Sequence, residues 1–322
     1  MFDWLVTAQL VAFAGFVSTV IFDTVLIVLT LFIKRTLGYY KYLIITFALL
    51  GMCFSAIDYY LHPILHSHND GFIFFSSENN FNRNVRDILI ALYPAFYSST
   101  VSMLTIQYIY RYWAIFHVHR LRYFKNWRLV FWLVYVVIIS MEHTFAMTYF
   151  AKFDNYSISY MSNTIMDFYN KNILDLSGIA VVVYDVNGNF RWKNVFYVIN
   201  ASLSTFSQYC IMIYTGTVMN KKMDNVIHVF SPQLQRVNRQ IFKTLVVQMV
   251  FPTILLFVPV FITYLVPFFR LKIDIPSGIF TCSLGIYPAI DSLFLFLFVS
   301  EYKNVFKKFG KKPKQRIFSN VG

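Results

Sequence analysis

Charge is what this sequence has least of. Only 13% of its 322 residues are Asp, Glu, Lys or Arg, whereas 57% belong to the AVILMFWYC set. A soluble domain carries about 25% charged residues, so this chain could not clothe a water-facing surface of its size. Cysteine is nearly absent. Cys53, Cys210 and Cys282 all fall inside apolar runs, which gives no disulfide framework and leaves them as small buried residues. Glycine is scarce at 11 and no internal repeat is visible, which argues against the broken, paired helices of a transporter. There is no phosphate loop, nucleophile elbow or metal-ligand cluster, so no enzyme, cofactor or metal is expected. His62, His66 and His68 lie close together but lack a Cys or acidic partner at a dependable spacing. The N-terminus has no basic stretch of the kind that opens a cleaved signal peptide, so the first apolar run reads as a retained span.

What the chain does have is long apolar runs. A bilayer core needs about 20 helical residues to cross, and seven runs of that size recur: Trp4–Ile33, Tyr42–Leu65, Ile88–Phe116, Trp127–Phe150, Val195–Met219, Thr244–Val266 and Pro276–Ser300. The expected fold is an all-α membrane protein, a seven-transmembrane helix bundle over residues 1–300, followed by a cytoplasmic tail over 301–322. Within the tail, Tyr302, Val305, Phe306 and Phe309 recur at helical spacing opposite Lys303, Lys307 and Lys308. That pattern predicts a short amphipathic helix resting on anionic membrane lipid.

Orientation follows from counting basic residues, because cytoplasmic loops carry the excess of Lys and Arg. With the N-terminus outside, 20 of the 28 fall on the cytoplasmic side, while nine loop acids fall outside and only Asp224 and Glu301 inside. The net charge of +13 is therefore a topology signal, and nucleic-acid binding loses its support. The sequon Asn155-Tyr156-Ser157 falls in the long loop after span four, on the outer side of this topology, which makes Asn155 a candidate glycosylation site. In the same loop, the β-branched run Ala180–Tyr184 followed by Asn187-Gly188 is a hairpin signal, so the loop reads as a structured lid over the outer end of the bundle, with an irregular loop as the alternative. Before span six, Ser231-Pro232 is a helix start, with Ser as cap and Pro in the first position.

Several stretches together carry a family likeness. They are Leu37–Leu43, His62-Pro63 with Ser67–Phe72, Ile109-Tyr-Arg-Tyr-Trp-Ala114, Gln240–Gln248 with Pro252, and Ile286-Tyr-Pro-Ala-Ile-Asp291 through Lys303. On these residues the chain resembles the nematode Str/Srj-type serpentine chemoreceptors across nearly its whole length. The resemblance implies an olfactory-type receptor in the plasma membrane of a sensory-neuron cilium. It implies a small odorant-like ligand and coupling to a heterotrimeric G protein. One departure is Ser292, where the family pattern leads one to expect proline.

Arg111, near the inner end of span three and flanked by Tyr110 and Tyr112, resembles the arginine that rhodopsin-like receptors keep there, but no acid precedes it. It is a candidate for G-protein coupling; a snorkelling interface arginine is the alternative. Carboxylates inside spans cost about 2.5–3.5 kcal/mol each at mid-bilayer and are expected to face the interior. Depth sorts the four into an inner pair, Asp23 and Asp291, and an outer pair, Asp58 and Glu142. With Pro288 beside Asp291 and Pro252 in span six, the inner pair reads as a conformational switch and the outer pair as the border of a ligand cavity. Structural hydrogen bonding and static kinks are the competing readings. Candidate ligand contacts are Tyr93, Phe96, Tyr97, Thr100, Asn200, Phe261, Tyr264 and Thr281. They form an aromatic wall with a few polar groups, suited to a small apolar molecule. The competing functions are an odorant-gated cation channel of inverted topology and a small-molecule transporter.

Overall fold

In the computed structural model, the described residues are 4–32, 38–78, 82–270, 274–276 and 278–303. The expected amphipathic tail helix lies, beyond Lys303, outside them. Among the described residues, four helices are each long and apolar enough to cross a membrane: α1 (Trp4–Phe32), α2 (Tyr40–Leu61), α3 (Arg83–Phe116) and α4 (Leu129–Phe150). α6 (Trp192–Val226) is long but more polar, because Asn200, Ser202, Thr205 and Gln208 punctuate it. The sixth crossing is composite. α7 (Pro232–Pro252) runs through a π-helical turn, Thr253–Phe257, into α8 (Val258–Leu265). α9 (Gly278–Phe298) is the seventh.

α3 is the central helix, packed against α2, α4, α6 and α7, while α1 closes the ring between α2 and α9. The contact of α1 with α9 is close enough that a Cβ on Gly15 would stand 2.5 Å from the carbonyl oxygen of Gly285. Small residues let membrane helices approach in this way, so dispersion contacts hold the pair. Cys53 and Cys210 are free and exposed on the outer faces of their helices, not buried as expected. In a lipid-facing helix an exposed thiol has the same apolar surroundings as a buried one.

One end of the bundle carries a lid, to which the second long loop contributes. Four strands, β1 (Ile64–His68), β2 (Gly71–Ser76), β3 (Ser177–Val182) and β4 (Asp274–Pro276), form an antiparallel sheet in the order β3-β2-β1-β4. β1 and β2 form a hairpin over Asn69-Asp70, with Asn69 in the left-handed region at φ 46°. The run Phe72-Ile73-Phe74-Phe75 does not alternate in polarity because both faces of β2 are covered. Phe72 and Phe74 point into the bundle, whereas Ile73 and Phe75 meet Met161, Ile165 and Tyr169 of α5 (Asn155–Tyr169). The second long loop thus supplies both a strand and a helix. Its β-branched run pairs with β2 and not with the residues after Asn187-Gly188. That turn closes only one isolated bridge, Tyr184 to Phe190.

α5 begins with a capping box. Ser157 N–H donates to the Asp154 carboxylate at 2.8 Å, and the Ser157 hydroxyl accepts from Asp154 N–H at 3.0 Å. Arg191 forms an ion pair with Asp154 and lies over the Tyr156 ring at 4.7 Å, pinning the helix start to the chain entering α6. Burial alone would raise the Asp154 carboxyl, but the Ser157 backbone and hydroxyl together with Arg191 hold it below its ordinary value. On the same side, Arg270 donates to the Gly188 carbonyl at 3.0 Å and stacks over Tyr184 at 4.0 Å.

Candidate functional site

Beneath the lid, α3, α4, α6, the π-turn and α8 enclose a cavity of about 360 Å³. A smaller chamber of about 80 Å³ continues it toward the sheet, where Leu65, Phe72, Phe74 and Ile179 form the ceiling. Pro94, Tyr97, Tyr197, Val260 and Tyr264 border both. The volume lies in the range of small-molecule sites, and the lining is mostly aromatic and aliphatic with a few polar groups. Asn200 is the most telling of these. Its Oδ1 is buried and has no hydrogen-bond partner among the described residues, and an unmet polar atom of this kind costs about 1–3 kcal/mol. The cavity floor is aromatic. Phe257 sits between Tyr97 (centroids 5.1 Å) and Tyr209 (4.9 Å), and the Tyr209 hydroxyl meets that of Thr253 at 3.1 Å.

Of the residues picked from sequence as ligand contacts, Tyr93, Tyr97, Asn200, Phe261 and Tyr264 are on these walls. Four others are not. Asp58 stands behind the wall, accepting from the Tyr93 hydroxyl at 2.7 Å and crowding Gly285 of α9. Phe96 turns to stack on Phe54. Thr100 donates to its own helix at Phe96 O and faces small voids deeper in the bundle. Glu142 pairs with His143 on its own helix at 2.8 Å, and it is His143 that reaches the cavity. The outer carboxylates therefore do not form a pair. The side chain of Thr281 lies outside the described residues. Sequence reasoning missed Tyr197, Tyr209, Thr253 and Phe257. Tyr197 lies one turn before Asn200 and Tyr209 one turn after Thr205, while Thr253 and Phe257 fall within the five residues after Pro252.

Deeper in the bundle, the inner carboxylates do converge. Asp23 and Asp291 border one void of about 10 Å³ with Gly51, Tyr287, Pro288 and Ser292. Ser292 donates to Asp23, while Asp291 accepts from Gln248 of α7 at 2.8 Å and from the Tyr287 hydroxyl at 3.3 Å. The position where proline was expected thus carries the hydroxyl that donates to Oδ1 of the buried Asp23 carboxylate, whose Oδ2 has no hydrogen-bond partner among the described residues.

Arg111 is buried and does not snorkel. Its guanidinium lies over the Tyr40 ring at 3.6 Å and donates to Asn238 of α7 at 3.3 Å, while Nε and Nη2 find no acceptor among the described residues. Tyr112 faces elsewhere, toward Phe116, His117 and Tyr214. Two more bonds hold α7 at this end. Tyr108 donates to Leu245 O at 3.0 Å, and Ser300 to Gln240 at 2.9 Å. Ser231 caps α7 through Leu234 N–H, with Pro232 in the first turn.

Known proteins resemble the chain over its whole length. It is 33% identical to "G-protein coupled receptor str-33" of Caenorhabditis elegans, covering 92% of this chain and 88% of that protein. It is 26% identical to "Serpentine receptor class r-10" of the same organism, over 96% of this chain and 93% of that one. The protein of that name in Caenorhabditis briggsae is 26% identical over 98% and 94%. All three are named as receptors, not enzymes. Residues 8–307 match the family described as "Serpentine type 7TM GPCR chemoreceptor Str". A seven-helix bundle with that likeness running from α1 to the end of α9 leaves one assignment: the chain belongs to the Str family of serpentine seven-transmembrane chemoreceptors.

Proposed function

We propose that this receptor binds a small, mostly apolar molecule in the cavity between α3, α4, α6 and α8, and signals to a heterotrimeric G protein from the opposite end of the bundle. The N-terminus and the lid are outside and the basic end is cytoplasmic, in the plasma membrane. The observation that carries this reading is the π-turn. Thr253 and Phe257, two of its five residues, are cavity walls. A π-turn after a proline is a strained, adjustable part of a helix, so the residues that touch the ligand are those that set the bend of the sixth crossing. Below the bend, α7 is fastened by Gln248 to Asp291, by Asn238 to Arg111, by Leu245 to Tyr108 and by Gln240 to Ser300. An outward swing of α7 must break these bonds together. That is a bistable element which ligand can bias only through differential contacts in its two states. Once Asn238 moves off, Arg111 has donors to offer an incoming partner.

The test is a G-protein readout in cells, run with any agonist found by screening apolar volatiles. Asn200→Leu and Phe257→Ala should each shift the half-maximal dose upward by about tenfold, the equivalent of about 1.4 kcal/mol, at unchanged surface level. Unshifted dose curves in both would refute the site.

A further inference from the structure

The cavity is walled by buried residues at the lid and by exposed ones along its flank. At the lid, its borders Phe72, Tyr93 and Leu65 are 1%, 3% and 5% exposed, whereas on the flank Phe206, Phe261 and Val258 are 66%, 51% and 47% exposed. These last three belong to α6 and α8, at a depth where neighbouring outward side chains such as Leu203, Ile254 and Ile262 are apolar and exposed, as on any lipid-facing surface. α6 packs chiefly on α3 and α4. Beside the cavity, ring contacts and a hydrogen bond pin its seam with the sixth crossing at two levels among the described residues: Tyr197 against Tyr264 above, and Tyr209 against Thr253 and Phe257 below. The two tyrosines of α6 are twelve residues apart, roughly 18 Å at 1.5 Å per residue. Between them α6 presents the small side chains Ala201, Ser202 and Thr205 to the gap.

We infer that the ligand reaches the site sideways from the membrane, through the window between α6 and α8, and that it is a membrane-dissolved amphiphile with an apolar body and one hydrogen-bond donor. This rests on the cavity being the ligand site. The donor requirement comes from the Asn200 Oδ1, buried in the cavity without a hydrogen-bond partner among the described residues. The apolar body comes from the aromatic walls. The route comes from the contrast in exposure, since a solute arriving from water would have to part a sheet packed on both faces.

The full-length protein in phosphatidylcholine nanodiscs would be photolabelled with a ten-carbon alcohol bearing a diazirine, dissolved in the bilayer, and the labelled peptides mapped. Labelling is expected within the cavity, around Tyr97 and His143. It should fall several-fold in Val258→Trp and in Ser202→Trp, two separate plugs of the window. The variant Phe74→Ala, which thins the lid, should not raise it. A matching diazirine alkane without the hydroxyl should label less well, and Asn200→Leu should abolish the difference. Cavity labelling that ignores both plugs but rises in Phe74→Ala would overturn the lateral route while leaving the cavity as the site. Equal labelling by alcohol and alkane would overturn the ligand class. No labelling of cavity residues by either probe would overturn the cavity reading and this inference together.

Discussion

At the scale of single residues, the buried carboxylates show how far a sequence can be read. Spacing along each span gave their depth, and depth grouped Asp23 with Asp291, which border one void. Their partners come from other helices, so no local pattern announced Ser292, Gln248 or Tyr287. The same limit holds for Asp58, expected at the border of the cavity, whose Tyr93 bond turns it away from it. Two substitutions test the inner group. Ser292→Ala leaves the Asp23 carboxyl buried with its donor removed, which should cost about 1–3 kcal/mol, read as a lowered thermal unfolding midpoint of the purified protein. Asp291→Asn replaces an acceptor pair with one acceptor and one donor, so the bonds from Gln248 and Tyr287 cannot both persist. Basal and agonist-driven signalling should both drop in it. Wild-type signalling at wild-type surface level would exclude a switch role.

Elements tell a different story. The long helices were legible because hydrophobic runs of span length have few alternatives, and the Ser231-Pro232 start of α7 was legible because a cap is local chemistry. The lid was only half visible. The second-loop β-run was recognised, but its partner strand lies about a hundred residues earlier in the chain, beyond the reach of a turn signal. The β1–β2 hairpin had its own signal in Asn69-Asp70-Gly71, which was obscured because strands covered on both faces lose their alternation. α5 went unread because its capping box is Asp154 with Ser157, not the usual acidic third residue. The lid makes a pH prediction. Asp154 is held below its ordinary 3.8 in the folded state, so its contribution is complete above that value and is lost as pH falls through the lower, folded one. Hydrogen–deuterium exchange of residues 155–169, corrected for intrinsic rate, should stay slow from about pH 7 to about pH 4 and quicken below that. Arg191→Ala should quicken it already at neutral pH. If the variant and wild type were alike at neutral pH, the ion pair would not be what anchors α5.

For the whole molecule, the seven crossings follow from composition, and the order in which they pack does not. That order depends on details such as the approach of Gly15 to Gly285, which no single stretch encodes. The proposed orientation follows from the distribution of Lys and Arg and is open to a direct check. Asn155 is exposed at the first turn of α5, so a lid on the outside should carry a glycan there. Asn155→Gln should abolish a mobility shift, and a C-terminal tag should stain only after permeabilisation. A tag stained on intact cells would overturn the orientation and favour the inverted, channel-type topology.

The four-stranded lid also sets a timetable for biosynthesis. β1 and β2 are adjacent in the chain and can pair as soon as α2 and α3 are made, but β3 follows α4 and β4 precedes α9. Until residues 274–276 emerge from the ribosome, one border of β1 stays unpaired, and the cap cannot close before the last helix is being synthesised. In the proposed orientation, a chain that stops short by one helix would present that open border in the lumen of the secretory pathway. Chaperones that bind unpaired strands could therefore tell a truncated receptor from a finished one without inspecting anything inside the membrane.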